Sequence, residues 1–283
     1  MLPDVIRNVL GKNITACQPV HGGDINHACR LTTGSGLFFL KYNNARQYPG
    51  MLLQEAAALQ LLQQTQTVRV PAVVQTGIAG PYQFLMLEWL QPAAPTPLFW
   101  ERLGQSLAAL HRCTAPVFGN REPNYIGSLP QNNTSCTSWE DFYTHYRILP
   151  LVRQLADDGV LEKKYITVAE NCCNRLQHAF PPEPPALLHG DLWSGNILCT
   201  NNSQPVLIDP AVYYGHREMD LGMTLLFGGF DARFYAAYTE AYPLAPDWKE
   251  RVWLTQLYPL LVHAVLFGGH YLSRIRALLQ SIS

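Results

Sequence analysis

The stretch from Leu188 to Asp209 constrains this chain more than any other. It reads Leu188-His189-Gly190-Asp191-Leu192-Trp193-Ser194-Gly195-Asn196-Ile197-Leu198, and an apolar run, Pro205-Val206-Leu207-Ile208, then delivers Asp209. Apolar pieces flanking a polar loop read as short strands, here Ala186 to His189, Ile197 to Thr200 and Pro205 to Asp209. A fold that buries those strands gathers the three polar side chains between them. Phosphoryl transfer needs such a set: one carboxylate orients the attacking hydroxyl and accepts its proton, while an amide oxygen and a second carboxylate hold the Mg²⁺ that bridges the phosphates. Asp191 fits the base, and Asn196 with Asp209 fits the metal ligands. Either Asp191 or Asn196 alone reads equally well as a turn residue. The spacing of all three favours catalysis.

Upstream, Ala28 to Thr32 and Leu37 to Tyr42 are apolar segments separated by Thr33-Gly34-Ser35-Gly36, which predicts a hairpin. Met51 to Gln64 is dense in strong helix formers without Gly or Pro, which predicts a helix. Val68 to Thr76 and Tyr82 to Leu90 read as two further strands. Lys41 ends the apolar strand, and Glu55 is the only acidic residue of the helix. In a kinase such a lysine contacts the phosphates and is held by a helix glutamate. Taken alone, the pair also fits a surface lysine and a solvated glutamate. The segment His21-Gly22-Gly23-Asp24-Ile25-Asn26 has two glycines but no phosphate-binding signature. Gly22 and Gly23 either let backbone N–H groups approach phosphates or form an ordinary turn.

Leu85 to Leu90 runs into Gln91-Pro92-Ala93-Ala94-Pro95-Thr96-Pro97, which cannot continue a central strand. This predicts a boundary between an ATP-binding lobe, residues 1–90, and a C-terminal helical lobe, residues 91–283. A hinge there offers main-chain atoms at Glu88, Trp89 and Leu90 to an adenine edge; the alternative is a buried strand ending in a tryptophan. Beyond it, helical patterns cover Leu98 to Arg112, Ser138 to Asp158, Leu161 to Ala179, Asp231 to Ala241 and Asp247 to Leu279. The expected class is α+β: a small antiparallel sheet with one key helix, then a larger helical lobe, with a nucleotide in the cleft. From Asp209 to Leu221 the chain packs five ionisable side chains and two tyrosines. Asp220 reads as structural support, opening a helix as its N-cap. His216 and Arg217 read either as substrate contacts or as structural and solvated groups.

Composition narrows the partners. Hydrophobic residues make up 48% and charged residues 14%, which excludes a disordered chain. Twenty basic residues face twenty-one acidic ones, so no basic groove for nucleic acid is expected. Apolar runs such as Pro259 to Phe267 stop short of the ~20 residues that span a bilayer, and the N-terminus lacks a signal-peptide pattern. The seven cysteines include adjacent Cys172-Cys173 and no CxxC pair, which predicts free thiols in a reducing cytoplasm.

At Gly22-Gly23-Asp24-Ile25-Asn26, at Asn124-Tyr125-Ile126-Gly127, at His189-Gly190-Asp191-Leu192-Trp193-Ser194-Gly195-Asn196, and at Asp209-Pro210-Ala211-Val212-Tyr213-Tyr214-Gly215-His216-Arg217-Glu218, the sequence resembles the fructosamine kinase (ketosamine-3-kinase) family. The resemblance implies a protein-kinase-like two-lobed fold and ATP-dependent phosphorylation of ketosamines, free or protein-bound, at O3 of the deoxyketose. The resulting ester releases the amine, so the activity amounts to deglycation. Carried over, Asp191 is the base, Asn196 and Asp209 bind Mg²⁺, Lys41 contacts ATP and Glu55 holds Lys41. Trp193, beside the base, is placed to stack on the sugar. No cysteine falls in the glycine-rich stretch, so the loop disulfide of some members is not expected. Asp209-Pro210-Ala211 replaces the DFG of protein kinases. Alternatives are a kinase of another small alcohol, aminoglycoside- or choline-kinase-like, and a pseudokinase. A monomer is expected.

Overall fold

Strand alternation builds the first part of the molecule. The computed structural model describes residues 2–11, 13–20, 25–176 and 179–280, so Gly22 and Gly23 lie outside the described residues. A short helix α1 (Asp4–Leu10) precedes β1 (Ile14–Pro19), β2 (His27–Thr33) and β3 (Gly36–Asn44), with the predicted hairpin joining β2 to β3. Helix α2 (Met51–Gln64), β4 (Val73–Ala79) and β5 (Tyr82–Glu88) follow. The strands form one antiparallel sheet in the order β1-β2-β3-β5-β4. Side chains alternate along β5: Phe84 and Met86 pack with Ile6 and Leu10 of α1 on one face, while Leu85 and Leu87 pack with Leu52, Ala56 and Leu59 of α2 on the other. Lys41 therefore lies on the α2 side of β3, one residue past Leu40 on the α1 side. Buried Gln83 fixes the start of α2, because its Oε1 accepts the N–H of Leu52 at 3.2 Å.

The remainder is largely helical. Pro97 opens α3 (Pro97–Leu110), with the Thr96 hydroxyl accepting the N–H of Phe99 at 3.3 Å. A hairpin follows, β6 (Asn124–Ile126) and β7 (Leu129–Gln131), then α4 (Trp139–Tyr143), a π-helical turn over 144–148, α5 (Leu149–Asp157) and α6 (Lys164–Arg175). Two strand pairs come next: β8 (Ala186–Leu188) with β11 (Tyr213–Gly215), and β9 (Ile197–Thr200) with β10 (Gln204–Leu207). The chain ends in α7 (Glu218–Thr224), α8 (Ala232–Ala241), α9 (Val252–Phe267) and α10 (Leu272–Gln280). The α3 and α8 backbones approach closely at Gly104, where a Cβ would lie 2.4 Å from the Phe234 carbonyl oxygen. Among the described residues no helix is long and apolar enough to cross a membrane. All seven cysteines are free thiols.

Several expected boundaries move for physical reasons. The strand expected over 68–76 begins only at Val73, because Pro71 breaks the run. The segment expected as one helix over 247–279 is divided at Gly268, whose φ of 87° no helix accommodates. The helix expected over 138–158 is three pieces, with Pro150 in the first turn of α5 just after the π turn. The sequence reading did not anticipate α1, β1, the β6–β7 hairpin or β11, and it opened the helix that is α7 two residues late, at Asp220.

The close α3–α8 approach makes a test of this packing. Gly104→Val forces the helices apart, a change that overpacking data put at about 1–3 kcal/mol. Thermal unfolding should show a midpoint several degrees lower, and an unchanged midpoint would contradict the crossing.

Candidate active site

Two irregular loops meet where β8 and β9 converge. The Ala211 N–H donates to the His189 carbonyl at 2.9 Å, and the Ile208 N–H to the Asn196 carbonyl at 3.0 Å, so the segments 189–196 and 208–212 are stitched backbone to backbone. This contact explains Gly190: its φ is +85°, and a Cβ would lie 2.1 Å from the Ala211 carbonyl oxygen. Asp209 itself adopts a φ of +55°, uncommon for a residue other than glycine and confined to sites that surrounding contacts enforce. The buried His189 supplies one such contact. Its Nε2–H donates to the Ile208 carbonyl at 3.0 Å while Nδ1 accepts the Asp191 N–H at 3.3 Å. Burial holds this imidazole below its usual range and hence neutral, the form these two bonds require.

Asp220 braces the same loop from below. Its carboxylate accepts the N–H groups of His189 and Gly190 at 2.8 and 2.9 Å. It also accepts Nε2–H of His111 at 3.2 Å, and His111 Nδ1 in turn accepts the Tyr238 hydroxyl at 2.8 Å. Burial alone would raise the Asp220 carboxyl, but the hydrogen bond from His111, with the loop amide of Gly190, holds it below its usual range. The structural role expected for Asp220 is thus observed, but not as an N-cap. Asp220 lies inside α7, and its oxygens serve the loop, not its own helix.

Asp191 projects from this braced loop. The Asn196 side-chain amide donates to both the Asp191 carbonyl (2.8 Å) and its Oδ2 (2.9 Å), which leaves Asn196 Oδ1 as an acceptor. Burial raises the Asp191 carboxyl to about 7; the Asn196 hydrogen bond opposes this, and the charges of Asp209 and Asp220 reinforce it. Across from it, buried Lys41 bonds Glu55 Oε1 at 2.9 Å and Asp209 Oδ1 at 2.5 Å. Burial pulls this ammonium down, but the carboxylates of Asp209 and Glu55 outweigh it and leave Lys41 raised and charged. Strand β3, helix α2 and the loop after β10 are thereby tied through one nitrogen.

Among the described residues no cluster of three or more His, Cys, Asp or Glu side chains has metal-binding geometry. Asn196 Oδ1 and Asp209 form a sparser set of oxygens. That set fits Mg²⁺, which commonly takes one or two carboxylates and completes its shell with phosphates and water.

The other expected residues divide. Trp193 is 37% exposed beside Asp191, and its ring lies over Gly195, where a Cβ would meet Trp193 Cη2 at 2.3 Å. Its ring also meets that of Phe227 at a steep angle. Of the residues expected at the hinge, Glu88 donates its N–H to the Ala72 carbonyl (3.0 Å), and its carboxylate accepts the Ala72 N–H (3.0 Å). Trp89 lies against the guanidinium of Arg30, and Leu90 follows the end of β5.

Of the two readings left open for His216 and Arg217, the structure favours the structural one, since both side chains are buried. Arg217 pairs with both Glu183 oxygens at 2.7 and 2.8 Å, donates to the carbonyls of Tyr242 and Pro243, and stacks on Tyr242. His216 Nε2 faces the Pro181 carbonyl at 3.2 Å. The sequence reading missed His111 and Glu183. Neither lies in the motif it serves, and only the fold reveals the pairing.

The raised carboxyl of Asp191 gives a pH expectation. In the metal-free protein it should be protonated below, and a carboxylate above, a midpoint near pH 7. A ¹³C NMR titration against Asp191→Asn measures this; a midpoint near the ordinary 3.8 would contradict the burial described.

The fructosamine kinase family model matches residues 2–283. The chain is 38% identical to a Synechocystis sp. protein named probable ketoamine kinase, over 92% of this chain and 88% of that one. It is 36% identical to the chloroplastic protein-ribulosamine 3-kinase of Arabidopsis thaliana, over 94% and 82%. A crystal structure from Thermobifida fusca designated fructosamine-3-kinase superposes with a TM-score of 0.86 at 37% identity, covering 96% of this chain and 94% of that one. An aminoglycoside phosphotransferase structure, 15% identical with a TM-score of 0.66 and 99% coverage of both, shares the fold alone. The two-lobed α+β architecture is thus that of the kinase-like phosphotransferases, and the chain belongs to the fructosamine kinase family.

Proposed function

We propose that this chain is an ATP-dependent kinase that phosphorylates O3 of the deoxyketose in ketosamines, the adducts of amines with sugars. The observation that carries this reading is the meeting of Lys41, Asp209 and the Asp191–Asn196 pair in a member of the fructosamine kinase family. Residues 1–90 form the ATP-binding lobe and residues 91–283 the lobe that carries the loops; the Pro-rich stretch at 91–97, after the end of β5, supports that division.

Each group has a task that its surroundings support. Lys41, charged and held by Glu55, contacts the ATP phosphates. Main-chain atoms of Glu88, Trp89 and Leu90 receive the adenine edge. Asn196 Oδ1 and the Asp209 carboxylate would hold Mg²⁺, which would supply charge neutralisation at the phosphates. Asp191 accepts a hydrogen bond from the sugar hydroxyl and takes its proton as that oxygen bonds to the γ-phosphorus. The bond from the γ-phosphorus to the β,γ-bridging oxygen breaks, and ADP carries the electron pair away. A carboxyl raised to about 7 is well matched to taking a proton near neutral pH. Trp193, exposed and backed by Gly195, offers an aromatic face to the sugar. The phosphate ester then decomposes and frees the amine.

The deciding assay offers fructosyl-lysine, ribulosyl-lysine, choline and kanamycin side by side with ATP and Mg²⁺, and reads ATP consumption. Ketosamine-dependent turnover is expected, and turnover with choline or kanamycin alone would overturn the substrate. Asp191→Ala should lose at least ~10²-fold in kcat with ATP affinity kept. Near-normal turnover in that variant would contradict the base assignment.

Gly195→Ala makes a subtler test, because the added methyl displaces the Trp193 ring. The KM for the ketosamine should rise severalfold while the KM for ATP holds. Equal changes in both would remove Trp193 from the sugar site.

A further inference from the structure

We propose that Asn124 and Gln131, opposite each other in the β6–β7 hairpin, are positioning residues that set Asp209 for its metal. This rests on the reading of Asp209 as a Mg²⁺ ligand. The segment after Asp209 belongs to no regular element until β11, so the carbonyls of Ala211 and Val212 lack ladder partners and need donors from elsewhere. The hairpin supplies both. Asn124 Nδ2 donates to the Val212 carbonyl at 2.8 Å, and Gln131 Nε2 to the Ala211 carbonyl at 3.3 Å.

The two amides are themselves locked. Gln131 Nε2 also donates to Asn124 Oδ1 at 2.8 Å, Asn133 Nδ2 donates to the same oxygen at 2.9 Å, and the Tyr258 hydroxyl donates to Gln131 Oε1 at 2.7 Å. Behind them, fully buried Arg147 donates to Asn133 Oδ1 at 2.7 Å and to the Asn132 carbonyl at 2.6 Å, with the rings of Phe142 and Tyr213 against its guanidinium. Asn124, Gln131, Asn133 and Arg147 are all at most 7% exposed. A buried amide that loses a partner is costly, so an apolar filling would be the simpler way to build this core. What the polar network achieves and an apolar one cannot is to fix two carbonyls next to a left-handed aspartate.

The hairpin also reaches the other end of the Lys41 system. The Tyr125 hydroxyl donates to the Pro49 carbonyl at 3.1 Å, two residues before α2 and its Glu55. One short hairpin thus touches the chain segments that present both carboxylates flanking Lys41.

Binding of the fluorescent nucleotide mant-ATP tests this, measured with Mg²⁺ and with EDTA in wild type, Asn124→Ala, Tyr258→Phe and Asp209→Ala. Asn124→Ala should weaken the Mg²⁺-dependent affinity about tenfold, the factor carried by one or two neutral hydrogen bonds. Its affinity in EDTA should stay within about twofold, since the nucleotide's other contacts are untouched. Tyr258→Phe removes only the bond to Gln131 and should give a smaller shift in the same sense; it decides the matter if Asn124→Ala does not fold. Equal weakening with and without Mg²⁺, or no change in the folded variants, would overturn the inference. Asp209→Ala retaining its full Mg²⁺ response would instead overturn the metal reading beneath it.

Discussion

A single buried ammonium organises this molecule. Lys41 is withdrawn from water on the α2 face of the sheet, and it remains charged because the carboxylates of Glu55 and Asp209 outweigh the burial. Removing either partner would leave part of that charge uncompensated, at a cost that solvent screening reduces on the 41%-exposed Asp209 side. The sheet, helix α2 and the loop after β10 therefore hold a common geometry. Asp209 reaches Lys41 from a left-handed backbone conformation, so its loop must itself be held.

That holding is shared among groups distant in sequence. Asp220 grips the amides of His189 and Gly190 from beneath, and His111 with Tyr238 grips Asp220. The β6–β7 hairpin grips the carbonyls of Ala211 and Val212 from the side. Gly190 lets the two loops touch. Asp191 sits at the centre of this scaffold, with its carboxyl raised by burial and by neighbouring carboxylates. The chemistry thus rests on a rigid polar frame, and Trp193 is the large exposed ring beside it.

The sequence made the local parts of this legible. Asp191 and Asn196 lie five residues apart on one loop, so their pairing needs little tertiary information. Lys41 and Glu55 were readable because β3 and α2 carry strong patterns, with Lys41 directly after an apolar run and Glu55 the single acidic residue of its helix. The long-range parts were not readable. Arg217 stayed open between two readings because its partner Glu183 lies in a Pro-rich stretch with no pattern linking the two. His216 sits beside it and stayed open with it. The Asn124–Gln131 pairing depends on a three-residue hairpin too short to leave a strand signature. Gly268-Gly269 and Pro71 were visible punctuation, and weighing them more heavily would have placed the helix break and the strand start correctly.

The central claim is that these groups deliver phosphate to a ketosamine hydroxyl. Its most direct test is ³¹P NMR of fructosyl-lysine and ribulosyl-lysine incubated with the protein, ATP and Mg²⁺. The account predicts a new phosphate monoester signal coupled to the sugar proton at C3, which then declines as free lysine amine appears. ADP and inorganic phosphate without a sugar ester, or an ester at another hydroxyl with no amine released, would contradict it.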